Sequence, residues 1–119
     1  MKGMDGRLAA GIAHFNSAAY FEAHEAFEDL WRTAQGDRRL LLQGLTQICA
    51  GLVKHQRGQS APARTLVARG LQKLETKDAS TLSELQISSF VEQVRAILEA
   101  LGAGTAFPPP EIRIARGDV

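Results

Sequence analysis

A chain of 119 residues with 45% hydrophobic and 23% charged residues has enough apolar surface to offset the entropy of ordering, which excludes a wholly disordered chain and fits one domain over residues 1–119. Its formal net charge of +1 argues against an obligate nucleic-acid binder and leaves nucleic acid as no expected partner. A lone cysteine, Cys49, rules out an intramolecular disulfide, no run approaches the roughly 20 apolar residues of a membrane span, and Met1 to Arg7 lacks a signal-peptide core, so the expectation is a cytoplasmic protein without membrane partners.

Apolar spacings of three and four predict an all-α bundle of about five antiparallel helices, with a core over about 5–102 and an extended proline-containing tail over 103–119. The first helix runs from about Asp5 to Phe15 on Leu8, Ile12 and Phe15, and Asn16-Ser17 turns the chain. A second runs from about Ala19 to Ala34 and stops at Gln35-Gly36-Asp37. The third runs from about Arg38 to Arg57 and stops at Gly58. A fourth starts near Pro62, whose missing N–H costs nothing in a first turn, and buries Leu66, Val67, Gly70, Leu71 and Leu74. The fifth is predicted to begin at Thr81-Leu82-Ser83-Glu84, a capping-box pattern, and to end at Gly102. Beyond it the prolines 108–110 forbid a helix, so the tail should lie over the bundle with Phe107 or Ile112 as its anchor.

The polar residues are informative on the second and third helices. At about 100° per residue, Tyr20, His24, Phe27 and Trp31 share a face, with Glu28 beside His24; Glu25 lies further round, and Glu22 and Asp29 point away. The third helix is apolar nearly all round. Gly44 and Gly51 form a strip suited to close backbone approach, and Gln43, Gln47 and Lys54 form a narrow polar line. A buried polar group costs about 1–3 kcal/mol unless it is hydrogen-bonded. The expected resolution is therefore a clasp in which Lys54 neutralises Glu28, the glutamines donate to it, and His55 joins at one end.

Such a cluster has three readings. It is an interhelical clasp that fixes register, or a ligand or catalytic pocket lined by His24, Glu25, Glu28, Trp31, Gln43, Gln47, Lys54 and His55, or a metal site. His24-Glu25-x-x-Glu28 is like the zinc motif H-E-x-x-H with its last histidine replaced. His24 and Glu28 would hold a divalent ion and Glu25 would act as base; the zinc version lacks a clear third ligand. No other cofactor is predicted. Cys49 reads as buried and inert, and Trp31 as core. The acidic run Glu22, Glu25, Glu28, Asp29 and the basic run Lys54, Arg57, Arg64, Arg69, Lys73, Lys77 read as faces turned to each other or to solvent, with a phosphate or RNA patch as the alternative.

Phe15 to Arg32, then Leu42 to Gln47, then Gln56 to Gly58, with the combined signature A-H-E-x-x-E-x-x-W and Q-G-x-x-Q, resemble the bacterial and archaeal family catalogued as domain of unknown function 309. The resemblance covers roughly Leu8 to Leu74. It implies a small all-helical fold and the same polar positions, namely His24, Glu25, Glu28, Trp31, Gln43, Gly44 and Gln47, and it implies no activity. That family often carries an aromatic–histidine pair near Lys54; here Val53-Lys54 stands, with His55 one place later, so an imidazole role does not carry over to that position. The spacing Phe-Asn-x-x-x-Tyr-x-x-Ala-His-x-x-x-Glu is also similar to the first hairpin of tetratricopeptide-like repeats, although one hairpin is not an array.

Two function classes follow. The first is a binding or interaction module without chemistry, which self-associates or docks a partner through its second or fourth helix. The second is a hydrolase-like enzyme or metal-binding protein that uses His24, Glu25 and Glu28.

Overall fold

The computed structural model describes residues 4–76 and 82–115. Within them lie five helices: α1 (Gly6–Asn16), α2 (Tyr20–Thr33), α3 (Gly36–Gln56), α4 (Ser60–Thr76) and α5 (Ile87–Ala103). The fold is an all-α bundle in which each helix packs against the next. The contacts run in opposite senses along each pair. Arg7 reaches Thr33 while Phe15 meets Tyr20, and Gly44 meets Gly70 while Gly51 meets Ala63. Neighbouring helices are therefore antiparallel, as their short connections require. No helix of the described residues is long and apolar enough to cross a membrane.

Local chemistry sets the ends. Asp5 caps α1, its carboxylate accepting from the Arg7 amide at 2.8 Å. The guanidinium of Arg7 holds the Asp5 carboxyl below the usual carboxylate range through its side-chain hydrogen bond. α1 ends with Ala18 at φ 61°, and the Ala19 amide returns to the His14 carbonyl at 2.9 Å. α3 ends the same way on Gly58 at φ 75°, with the Gln59 amide on Lys54 O, and α5 on Gly104 at φ 70°, with the Thr105 amide on Ala100 O. Alanine thus stands at the first of three positions where glycine would be unstrained; its carbonyl is also where the Gln56 amide ties α3 to this turn, at 3.0 Å.

Two boundaries differ from the sequence expectation. α3 begins at Gly36, whose φ of 62° makes the turn out of α2. α5 begins at Ile87 with Gln86 at its N-cap. Thr81 of the expected capping box, like Lys77 of the basic run, lies outside the described residues, and Glu84 has another task. Its carboxylate takes both Nη atoms of Arg38 on α3, at 3.0 and 2.9 Å, and that guanidinium holds its carboxyl below the ordinary range. Residues 84–86 pair with the tail instead of starting the helix: the Gln86 amide donates to Arg113 O at 2.9 Å and the Ala115 amide to Glu84 O at 2.8 Å, around an isolated bridge between Leu85 and Ile114.

The tail is extended and its anchor is Ile112, 2% exposed. Two side-chain amides imitate strand partners for it. Asn16 exchanges hydrogen bonds with the Ile112 backbone at 2.9 and 2.8 Å, and Gln93 does the same with Glu111 at 2.9 and 2.8 Å. These satisfy backbone groups that no neighbouring strand could reach.

One apolar cluster runs through all five helices, with Phe15 edge-on to both Tyr20 and Phe90. The closest approach is between α3 and α4. A Cβ on Gly70 would lie 2.5 Å from both the Gly44 carbonyl oxygen and Ile48 Cγ1, and one on Gly51 would lie 3.0 Å from the Ala63 carbonyl. Backbone cannot yield as a flexible side chain would. Alanine would gain about 1 kcal/mol in helix propensity, yet Gly70→Ala should lower the unfolding free energy by about 1–3 kcal/mol net. A denaturant midpoint equal to or above wild type would show that the two backbones do not meet there.

Candidate functional site

α2 turns its polar residues outward because its inner face is spent on Tyr20, Ala23, Phe27 and Leu30, all buried. Phe27 also excludes any side chain at Gly11 of α1, where a Cβ would lie 2.5 Å from its ring. With that face fixed against α1 and α3, Glu25 is exposed and His24 and Glu28 are half-buried at the edge.

These three side chains converge. One ligand atom from each of His24, Glu25 and Glu28 lies within 4.8 Å of the others. His24 Nδ1 is enclosed, makes no hydrogen bond among the described residues, and sits 3.6 Å from Glu25 Oε2. That is too long for a hydrogen bond. Glu28 Oε1 accepts from Arg32 Nη2 at 3.3 Å, one turn on.

Two concavities flank the cluster. On the α1 side an open trough of about 550 Å³ is lined by His14, Glu22, Glu25, Ala26, Glu28, Asp29 and Arg32. On the α3 side a groove of about 150 Å³ is lined by Phe21, His24, Ala50, Val53, Lys54 and Arg57. His24 and Lys54 therefore line one groove between α2 and α3, while Glu25 and Glu28 line the trough.

The remaining sequence candidates are placed elsewhere, and the expected clasp is corrected. Gln47 does not turn to Glu28; its Oε1 accepts from Lys73 Nζ of α4 at 2.9 Å. Glu28 is neutralised by Arg32, not by Lys54. The reason is the glycine strip. On α3, Gln47 lies only about 60° round from Gly44, so the helix that the glycines draw in also reaches the glutamine. Lys73 Cβ stands 3.1 Å from where a Gly44 Cβ would be. Gln43, one turn earlier, is half-buried on the same ridge. His55 is exposed and lies against Phe107 of the tail, ring centroids 5.0 Å apart, away from His24. Trp31 packs on the core with Arg39 over its ring at 5.0 Å, and its Nε1 is enclosed without a hydrogen-bond partner among the described residues.

Sequence reasoning passes over Arg32, His14 and Phe21, and names Lys73 only as one member of the basic run. Arg32 had a local signal, since it follows Glu28 by four residues. Phe21 had one too, as a large apolar residue on the outward side of the wheel. Cys49 is fully buried, and burial pushes its thiol pKa far up, so it is no nucleophile.

An exposed i,i+4 pair is worth little, so Glu28→Ala should change stability by no more than about 0.5 kcal/mol. Gln47→Ala, which strips a half-buried ammonium of its acceptor, should cost about 1–2 kcal/mol. Urea unfolding of both variants checks the ranking; a larger loss for Glu28→Ala would restore the clasp.

No curated protein matches the chain. The model of the family described as "Domain of unknown function (DUF309)" matches residues 8–66, from the first buried leucine of α1 through α2 and α3 into the opening turns of α4. This stretch contains His24, Glu25 and Glu28 together with the glycine-bearing face of α3, and the chain belongs to the DUF309 family.

Proposed function

We propose that this protein is a small helical binding module whose α2 edge takes one divalent transition-metal ion on His24, Glu25 and Glu28. The observation that carries the reading is the convergence of those three donors within 4.8 Å, with the enclosed His24 Nδ1 making no hydrogen bond. The 3.6 Å between His24 Nδ1 and Glu25 Oε2 is a poor hydrogen bond, but it is the span of two ligands that each stand about 2.0–2.2 Å from one ion. Rotation of the Glu28 side chain off Arg32 brings in the third donor.

One imidazole and two carboxylates suit zinc, manganese or ferrous iron better than magnesium or calcium, which prefer oxygen alone. Three protein ligands leave positions open to water, which a bound ion would acidify; a hydrolytic role would rest on that water. The chain's own contribution is to hold the donors on one rigid helix turn and to keep His24 oriented against the wall of α3. Arg32 opposes the ion, both by its charge and by holding Glu28 Oε1 at 3.3 Å.

Titration of untagged, chelator-treated protein with zinc or manganese chloride, followed by calorimetry, should show one ion per chain. His24→Ala and Glu28→Gln should each weaken it by about tenfold or more, and Arg32→Ala should tighten it. Absence of binding, or binding indifferent to the His24 and Glu28 changes, overturns the proposal.

A further inference from the structure

Phe21 is 52% exposed, one of two large hydrophobic residues that stand out among the described residues. A single exposed phenylalanine is ordinary. Its surroundings are not. On one side it forms a wall of the apolar groove, with Ala50 and Val53 beside it and Lys54 and Arg57 at the rim. On the other side, about 40° and 100° round α2, stand Glu25 and Glu22 at the acidic trough. The order across this surface is base, groove, ring, acid.

We infer that this face pairs with a second copy of the chain about a two-fold axis near Phe21. Rotating the patch by half a turn lays the acids of one copy over the bases of the other, so the surface complements itself, which an isologous contact requires. The groove holds about 150 Å³, the size of cavity that accommodates a benzene ring, and the second copy's Phe21 supplies such a ring. A net charge of +1 leaves little overall repulsion between copies. The contact is small, so the dimer is reversible and weakens with salt. The contact borders the cation site, since His24 lines the groove and Glu25 stands among the acids, so the test rests on Phe21, Arg57 and Glu22, none of which is a ligand there.

Sedimentation equilibrium over a wide concentration range tests it, with circular dichroism as the control for folding. Wild type should show a monomer–dimer equilibrium, and Phe21→Ser should raise its dissociation constant about tenfold or more. Arg57→Glu and Glu22→Lys should each be monomeric alone, because like charges then face each other twice. Mixed in equal amounts they should form a heterodimer, because both contacts are again between opposite charges. A wild-type monomer up to the solubility limit, a dimer unmoved by Phe21→Ser, or a mixture that stays monomeric overturns the inference.

Discussion

The contact on which the rest of the molecule depends is the crossing of α3 and α4, where Gly44 and Gly51 meet Gly70 and Ala63 backbone to backbone. Without Cβ atoms in the way the two helices close to a distance that side chains would forbid, and dispersion contacts accumulate along the seam. α3 is thereby committed on one side to α4. Its other side receives α2, and the long apolar helix becomes the centre of the bundle.

That commitment decides the fate of the polar groups. α4 brings Lys73 to Gln47, so the glutamine is satisfied before α2 can reach it. The acids of α2 are left at the outer edge, where Glu28 pairs with Arg32 and Glu25 faces His24, both partners on their own helix. A clasp would have rendered His24, Glu25 and Glu28 structural. Its absence leaves the three donors at the outer edge, with His24 Nδ1 enclosed and without a hydrogen bond among the described residues, an arrangement that adds little to stability.

Much of the fold was legible in the sequence because helical periodicity and glycine placement are local. The stripes of Leu8–Ile12–Phe15 and Phe90–Val94–Leu101 marked their helices, Gly58 a C-terminal turn, and Phe107 or Ile112 an anchor for the tail, of which Ile112 is the buried one. The start of α5 was not legible: Thr81-Leu82-Ser83-Glu84 reads locally as a capping box, and only the distant tail and Arg38 decide that Leu85 bridges to Ile114 and that Glu84 forms a salt bridge. At the candidate site, the wheel correctly put His24 and Glu28 at the border of the buried face. It could not say which neighbour faces which ridge of α3, because a helix apolar on nearly every side carries no outward direction of its own. The glycine strip held that information, since it marks the side on which another helix comes closest.

Energetic coupling of α3 to α4 in place of α2 is measured directly by a pair of double-mutant cycles on folding stability. Gln47→Ala combined with Lys73→Met should show a coupling above about 0.5 kcal/mol, while Gln47→Ala combined with Glu28→Ala should be additive within about 0.3–0.5 kcal/mol. Strong coupling between Glu28 and Gln47, with none between Gln47 and Lys73, would contradict the account.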